Sequence, residues 1–211
     1  MVTTASARPP HLVLASRSPR RRQLLELIGL PHLVISSQVE ETLDPSEGAV
    51  SFALRVALEK ALEVSRRGPA LPVLGADTVV EVDGRVLGKP SSAGEAEDML
   101  EALSGRAHRV HTALALVAGE RQATLVDTAT VHFFALTRDQ ARWYVDTGEP
   151  LDKAGAYAVQ GIGGLFVRSV EGSPHTVVGL PIHRLPELWS ALGLDLWSDL
   201  GARGAGVPTR R

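Results

Sequence analysis

Residues 71–90 read LPVLGADTVVEVDGRVLGKP. The apolar run over 72–82 predicts a buried strand, and the Asp83-Gly84 pair predicts a tight hairpin into a second, short strand. A carboxylate inside such a strand is costly unless a positive or hydrogen-bonding group meets it. Asp77 is therefore either a structural partner or a tuned acid-base group. Gly75 would let another backbone or a ligand approach this strand closely.

Strand and helix patterns alternate on both sides of this segment, without a long linker, a low-complexity tract or a repeat. This alternation predicts one α/β domain over residues 11–200. Residues 1–10 and 201–211 are rich in small residues, Pro and Arg, and we predict that both ends are flexible. The predicted strands are 11–15, 33–37, 72–82, 85–87, 108–117, 122–136, 166–170 and 176–178, and the predicted helices are 20–30, 49–66, 93–103, 138–147 and 185–192.

The composition limits the classes of function. Of 211 residues, 44% are hydrophobic and 22% charged, which is typical of a globular protein and excludes disordered and collagen-like chains. A formal charge of −2 and 4% aromatic residues argue against a nucleic-acid or membrane-surface partner. Because cysteine is absent, disulfides and thiol nucleophiles are excluded. Without a signal-peptide pattern or a long apolar run, we expect a cytoplasmic protein.

The first candidate site is the turn SRSPRR at residues 16–21, between a strand and a helix. Ser18 can cap the helix and Pro19 suits its first turn. Serine hydroxyls, free helix N–H groups and the guanidinium groups of Arg20 and Arg21 would together suit a polyphosphate. The alternative is a solvated, basic helix start.

Further charged residues could complete such a site. Glu40 and Glu41 could supply a carboxylate for a divalent cation, although acidic surface pairs are common. Lys89 stands where the chain must turn, although most lysines are merely solvated. The stretch EPLDKAGAYAVQG (149–161) combines two acids and a lysine with loop-forming glycines, and it is either a binding loop or a charged surface turn.

Several common catalytic patterns are absent from the sequence. The seven histidines form no H-E-x-x-H, and there is no G-x-G-x-x-G, Walker lysine loop or G-x-S-x-G elbow. What remains is a set of basic and acidic residues that suits a phosphate chain and a divalent metal. Phosphoanhydride cleavage needs those parts, but the residues alone identify neither the base nor the bond that is cut.

Four blocks together resemble the Maf family of nucleoside triphosphate pyrophosphatases: ASRSPRRRQLLELIGL, LGADTVVEVDGRVLGKP, LSGRAHRVHTALAL and EPLDKAGAYAVQGIGG. The similarity extends over about residues 12–192. It implies a mixed, twisted α/β sheet with flanking helices, and two lobes around a deep cleft, as in ITPase-like folds. It also implies a homodimer, a divalent cation (Mg, Mn or Co), and hydrolysis of a nucleoside triphosphate to the monophosphate and pyrophosphate.

The resemblance also implies roles for single residues. Ser16, Arg20 and Arg21 match the family's phosphate-binding turn, and Lys60 and Lys89 match its cleft lysines. Glu41 and Asp77 match its essential acids, which the resemblance places at the metal, with Asp77 as general base.

Three positions are similar to the subgroup that acts on dTTP and UTP: Arg21, Thr78 and Gln160. Asp152 and Lys153 belong to the same matching block as Gln160, and we expect them to contact the substrate. Two alternatives stay open. One is the same reaction on 7-methyl-GTP or another modified nucleotide, and the other is a nucleotide-binding regulator of septum formation.

Overall fold

The computed structural model describes residues 9–44 and 46–201. Its seven strands are β1 (Leu12–Leu14), β2 (His32–Val34), β3 (Val73–Val82), β4 (Arg85–Leu87), β5 (Ala107–Ala118), β6 (Arg121–Phe133) and β7 (Val167–Glu171). They form one sheet in the order β2-β1-β3-β5-β6-β7, with β4 paired to β3. β1 runs parallel to β2 and β3, whereas the other pairs are antiparallel. The prediction of a mixed sheet is confirmed.

Seven helices flank this sheet within the described residues. They are α1 (Pro19–Leu27), α2 (Ala49–Arg67), α3 (Ala93–Leu103), α4 (Arg138–Asp146), α5 (Pro174–Val178), α6 (Leu185–Ala191) and α7 (Leu196–Asp199). The predicted Ser18 cap is present, because its side chain accepts from the Arg21 N–H at the start of α1. Thr137 and Gln140 form a capping box on α4. The predicted flexible ends, 1–10 and 201–211, lie almost entirely outside the described residues.

One predicted element is wrong. Residues 176–178 belong to the short helix α5 and not to a strand. Thr and Val favour strands by propensity, but the local signals at both ends favour a helix. Ser173 accepts from the His175 N–H with Pro174 in the first turn, and Gly179 ends the helix at φ 108°. The sequence analysis also missed α7, a single turn that Asp195 caps.

The alternation of side chains along β3 sends consecutive residues to opposite faces of the sheet. Gly75 and Asp77 point toward α2, where Asp77 meets Lys60. Ala76 and Thr78 point toward the other face, where Thr78 meets Arg21 of α1. The four residues 75–78 therefore contact α2 on one face of the sheet and α1 on the other.

Three apolar cores stabilise the molecule. One lies between the sheet and α2 and includes Phe52 and Val56. The other two share the opposite face: one lies beneath α1 and α6 and includes Trp189, and the other lies beneath α3 and α4 and includes Tyr144 and Phe133. The division into two lobes that the resemblance implies stays a prediction. No helix among the described residues is long and apolar enough to cross a membrane.

We predict that Gly75→Ala destabilises the protein by about 1–3 kcal/mol, as overpacking does. A Cβ at this position would lie 2.2 Å from the carbonyl oxygen of Ala57 and 3.0 Å from the Ala61 side chain, so α2 would have to move off the sheet. The control is Gly94→Ala in α3, where the nearest atom would be 4.0 Å away. Helix propensity makes that change stabilising by about 0.5–1 kcal/mol. Urea unfolding measures both, and equal effects would contradict the predicted close approach.

Burial of His108 gives the stability a pH dependence. The side chain is 2% exposed, and its Nε2 lies 2.8 Å from the Tyr157 hydroxyl. Burial, with a smaller contribution from His132, lowers the pKa of His108 from 6.5 to about 4. The unfolded chain therefore binds a proton between pH 6.5 and 4 that the folded chain does not bind. This contribution to stability is complete above pH 6.5 and is lost as the pH falls toward 4.

We therefore predict that the free energy of unfolding falls over this range by up to about 1.4 kcal/mol per pH unit. Glutamine in the variant His108→Gln keeps a hydrogen-bonding group near Tyr157 but does not titrate. The unfolding free energy of the variant should therefore fall less steeply with pH than that of wild type, by up to about 1.4 kcal/mol per pH unit. Urea titrations at several pH values measure the slopes. Parallel slopes for the two proteins would contradict the prediction.

Candidate active site

A cavity of about 480 Å³ is lined from both faces of the sheet, with Lys60 of α2 on one face and Arg21 of α1 on the other. Its volume is within the range of small-molecule sites. All the candidate residues line it: Ser16, Arg20, Arg21, Glu41, Lys60, Asp77, Thr78, Lys89, Asp152, Lys153 and Gln160. They come from the β1-α1 turn and the start of α1, the segment after β2, α2, β3, the turn after β4 and the segment after α4. The shared cavity fixes their positions, and the role of each in binding stays a prediction.

The cavity is locally positive although the chain is weakly acidic. Its lining includes six basic side chains and three acidic ones. Arg17 and Arg20 make no hydrogen bond or ion pair with any described residue, so their charges are available to a ligand. A surplus of cations in a cleft with low-dielectric walls attracts anions. The cavity is therefore suited to a polyanion.

Lys60 lies at the centre of the charged groups. Its Nζ lies 2.7 Å from a carboxylate oxygen of Asp77 and 2.7 Å from one of Glu41. Lys60 and Asp77 are both buried, whereas Glu41 is partly exposed and also pairs with Lys89 at 2.9 Å. The buried carboxylate of Asp77 in β3 therefore has a buried cation as its partner. A buried charge needs such a positive or hydrogen-bonding group beside it.

The two carboxyl groups titrate differently. Burial raises the pKa of Asp77, although the nearby charges of Lys60 and Arg21 act in the opposite direction. Burial also acts to raise the pKa of Glu41, but Lys60 and Lys89 outweigh it and lower that pKa to about 2. Asp77 is therefore the more basic of the two carboxylates, and it is the one aimed into the cleft from a rigid strand.

Arg21 is held by three hydrogen bonds. It donates from Nε to the Gly179 carbonyl at 2.8 Å, from Nη1 to Ser16 Oγ at 3.2 Å and from Nη2 to Thr78 Oγ1 at 3.1 Å. A guanidinium has five N–H donors, so two remain for a ligand. Ser18 accepts from the Arg21 N–H at the start of α1, Pro19 has no N–H and the Arg22 N–H donates to the Ser18 carbonyl, so within the described residues the Arg20 N–H is the one left free in this first turn.

The segment 149–164 wraps into three short 3-10 turns that bring Asp152, Lys153 and Gln160 to the cavity. Glu149, which the sequence analysis considered as a possible binding group, is structural. Its carboxylate accepts from the Tyr144 hydroxyl at 2.8 Å and from two backbone N–H groups of the segment at 3.0 Å each. Lys153 pairs with Asp152.

The sequence analysis missed several residues that line the cavity. Val177 and Val178 were missed because their segment was predicted as a strand. Ser37 and Val39 line the cavity from the extended chain after β2, where no local pattern distinguishes them. Tyr144 does not line the cavity, but it was also missed although its hydroxyl holds the segment after α4 through Glu149 and the Ala158 N–H.

The acids suit a divalent cation that is shared with a ligand. No group of three or more His, Asp or Glu side chains in the described part of the chain could hold a metal by itself. One oxygen of Glu41 and one of Asp77 are taken by the Lys60 ammonium group, but the second carboxylate oxygen of Asp77 makes no hydrogen bond within the described residues, and Asp77 lines the cavity. Mg²⁺ is commonly bound by one or two carboxylates together with substrate phosphates. The residues therefore fit a cation that arrives with the phosphates.

Comparison with known proteins gives a family and named relatives. A family model described as "Maf-like protein" matches residues 11–192. A dTTP/UTP pyrophosphatase of Symbiobacterium thermophilum is 46% identical over 187 residues, which cover 89% of this chain and 96% of the relative. A protein of the same name from Bacillus thuringiensis subsp. konkukian is 43% identical over 185 residues, covering 88% and 97%.

Two solved structures are also similar. A HAM1 protein from Coxiella burnetii has a TM-score of 0.40 and 25% identity, covering 59% of this chain and 73% of that chain. The Ham1 protein of Staphylococcus aureus has a TM-score of 0.42 and 16% identity, covering 84% and 90%.

Proposed function

The chain belongs to the Maf family, and on that premise we propose that it is a metal-dependent nucleoside triphosphate pyrophosphatase that hydrolyses dTTP and UTP to the monophosphate and pyrophosphate. One observation carries the proposal. A single cavity combines a surplus of cations with a buried carboxylate, Asp77, whose pKa is raised. Phosphoanhydride hydrolysis needs both parts: positive groups for the phosphates and a base for water.

Binding of the triphosphate is assigned to the basic groups around the β1-α1 turn. Arg20 is unpaired among the described residues, and Arg21 keeps two N–H donors. Lys89 pairs with Glu41, and Lys153 pairs with Asp152 and donates to the Glu149 carbonyl at 3.3 Å; an ammonium group has three donors, so each can also reach a phosphate. The Ser16 hydroxyl and the backbone N–H of Arg20 add neutral donors. Such groups neutralise the charge that builds up on the phosphoryl oxygens.

Asp77 is proposed as the general base, and Lys60 as the group that holds it. A base is most effective when its pKa approaches the working pH, and burial shifts Asp77 in that direction. Lys60 fixes the carboxylate through the 2.7 Å contact to one of its oxygens. In the proposed step Asp77 takes a proton from water, the water oxygen bonds to the α-phosphorus, the bond from that phosphorus to the α,β-bridging oxygen breaks, and pyrophosphate leaves.

We propose a divalent cation, Mg, Mn or Co, at Glu41 and Asp77. When bound, it would neutralise phosphate charge and polarise a phosphoryl oxygen.

Thr78 and Gln160 are proposed to recognise the pyrimidine base through hydrogen bonds. A glutamine amide offers both a donor and an acceptor, as the edge of uracil or thymine requires.

We also propose that the protein forms a homodimer. Phe134 and Leu165 are 50% and 72% exposed, and they lie close together because the Phe134 N–H donates to the Phe166 carbonyl at 2.9 Å. Exposed apolar groups of this kind mark contact surfaces. Sedimentation equilibrium should give twice the chain mass of 22.5 kDa, and a monomer at all concentrations would refute the dimer.

A nucleotide panel tests the proposed function. The purified protein is assayed for pyrophosphate and monophosphate with dTTP, UTP, CTP, GTP and 7-methyl-GTP, each with Mg, Mn or Co. We expect the highest kcat/KM for dTTP and UTP. A preference for 7-methyl-GTP would overturn the assignment of the base, and nucleotide binding without product would favour a regulatory protein.

A further inference from the structure

A row of polar side chains crosses the sheet between the two apolar cores on one face. Thr78 of β3 pairs in register with Thr112 of β5, and Thr112 pairs with Asp127 of β6. Thr112 is fully buried and does not line the cavity. The register pairs next to this row are apolar on both sides, Ala76 with Leu114 and Val80 with Val110.

The direction of the hydrogen bonds in this row follows from the number of hydrogens. Thr112 Oγ1 lies 2.7 Å from the carbonyl oxygen of Thr176. A carbonyl cannot donate, so the single hydroxyl hydrogen of Thr112 lies in this contact. In its second contact, 2.9 Å to Thr78 Oγ1, Thr112 therefore accepts and Thr78 donates.

The hydroxyl oxygen of Thr78 can therefore only accept hydrogen bonds from groups other than Thr112. Its hydrogen is engaged with Thr112, and Arg21 Nη2 donates to its oxygen at 3.1 Å. One lone pair of Thr78 remains, and this residue lines the cavity. A ligand group next to Thr78 makes a hydrogen bond there only if it donates.

The carbonyl that fixes this direction is itself held in place. Thr176 donates its hydroxyl hydrogen to the carboxylate of Asp127, and Arg184 Nη1 donates to the same carboxylate at 3.0 Å. Just after α5, the Gly179 carbonyl accepts from Arg21 Nε at 2.8 Å. These contacts hold α5 at its central residue and just after its C-terminal end, and so keep the Thr176 carbonyl in contact with Thr112.

We propose that Thr112 is a positioning residue that takes the hydroxyl hydrogen of Thr78 and so makes the site select a ligand with a hydrogen-bond donor at that position. The inference rests on the proposed function, because it assumes a pyrimidine nucleotide in the cavity. UTP and dTTP carry two donors in common, the N3–H of the base and the 3′-hydroxyl. Cytosine has no hydrogen on N3, so the mechanism would also discriminate against CTP if Thr78 faces the base.

The experiment compares wild type with Thr112→Val, which cannot accept, and with Thr112→Ser, which keeps the hydroxyl. Each protein is assayed with UTP, N3-methyl-UTP and 3′-deoxy-UTP, and thermal melts check folding. We expect wild type to prefer UTP over one of the two analogues. Thr112→Val should reduce that preference about threefold to tenfold, the scale of one neutral hydrogen bond, and Thr112→Ser should keep it.

The analogue whose discrimination depends on Thr112 identifies the donor as the base or the sugar. An equal loss of kcat/KM for all three substrates in Thr112→Val, or no change, would overturn the proposal, since a purely structural role gives no selectivity. If wild type hydrolyses none of them, the proposed function fails. Neutron diffraction from deuterium-exchanged wild-type crystals gives the hydrogen-bond direction without any assay. It therefore tests the proposal even if wild type hydrolyses none of the substrates, or if the valine variant does not fold. Deuterium on Thr78 directed at Thr112 supports the proposal, and deuterium directed into the cavity refutes it.

Discussion

Asp77→Asn is expected to lower the rate of pyrophosphate release by about 10²–10⁴-fold, the contribution that a general base makes. Asparagine has nearly the same shape as aspartate and can still accept a hydrogen bond from Lys60, but it cannot take a proton from water. The fold should survive, because Lys60 keeps its contact with Glu41 at 2.7 Å. Initial rates with UTP and saturating Mg²⁺ measure the loss.

A matched control for this variant is Asp83→Asn, on the hairpin that follows the same strand. Asp83 is exposed and pairs with Arg106 away from the cavity, so its rate should stay near that of wild type. Circular dichroism and thermal melts check that both variants fold. Turnover of the Asp77 variant within a few-fold of wild type would remove Asp77 from the role of base.

Lys60→Met is expected to destabilise the protein by about 3–5 kcal/mol near neutral pH, because it leaves a buried carboxylate without its cation. Methionine fills much of the space of the lysine side chain, so the loss of stability measures mainly the removal of the positive charge. Without Lys60 the pKa of Asp77 should rise further, and a carboxyl group with a raised pKa costs stability only when it is ionised. The deficit should therefore shrink as the pH falls and Asp77 becomes protonated.

Lys89→Met is the matched control for the lysine variant. Lys89 contacts the same Glu41, but its side chain is 52% exposed, and such pairs contribute about 0–1 kcal/mol. Urea unfolding between pH 4 and 8 gives both values. Similar losses in the two variants, or a loss in Lys60→Met that does not depend on pH, would contradict a buried ion pair at Asp77.

The sequence predicts most of the fold because the local signals are strong. The hairpin at Asp83-Gly84 and the capped helices α1, α3 and α4 follow from turn and cap residues that act within a few positions. Helix α5 was predicted wrongly because β-branched residues gave a signal that a Ser-Pro cap and a terminal glycine outweigh.

The site is predicted less completely, and for a physical reason. Burial of Asp77 required a cation, but that this cation is Lys60 depends on how closely α2 packs over Gly75. The sequence therefore indicated that the Asp77 carboxylate needs a partner, but it did not show which side chain the packing of α2 brings to it. The direction of hydrogen bonds at Thr78 depends in the same way on Thr112 and Thr176, which are distant in sequence.

The most direct test of the central claim is product analysis after hydrolysis of UTP in ¹⁸O-labelled water. Phosphorus NMR and mass spectrometry then identify each product and locate the label. A cavity that binds the whole triphosphate and activates one water should give UMP and pyrophosphate in equal amounts, with one labelled oxygen in the UMP, because pyrophosphate is the group that leaves. Release of inorganic phosphate and UDP, or recovery of intact UTP from the occupied protein, would contradict it.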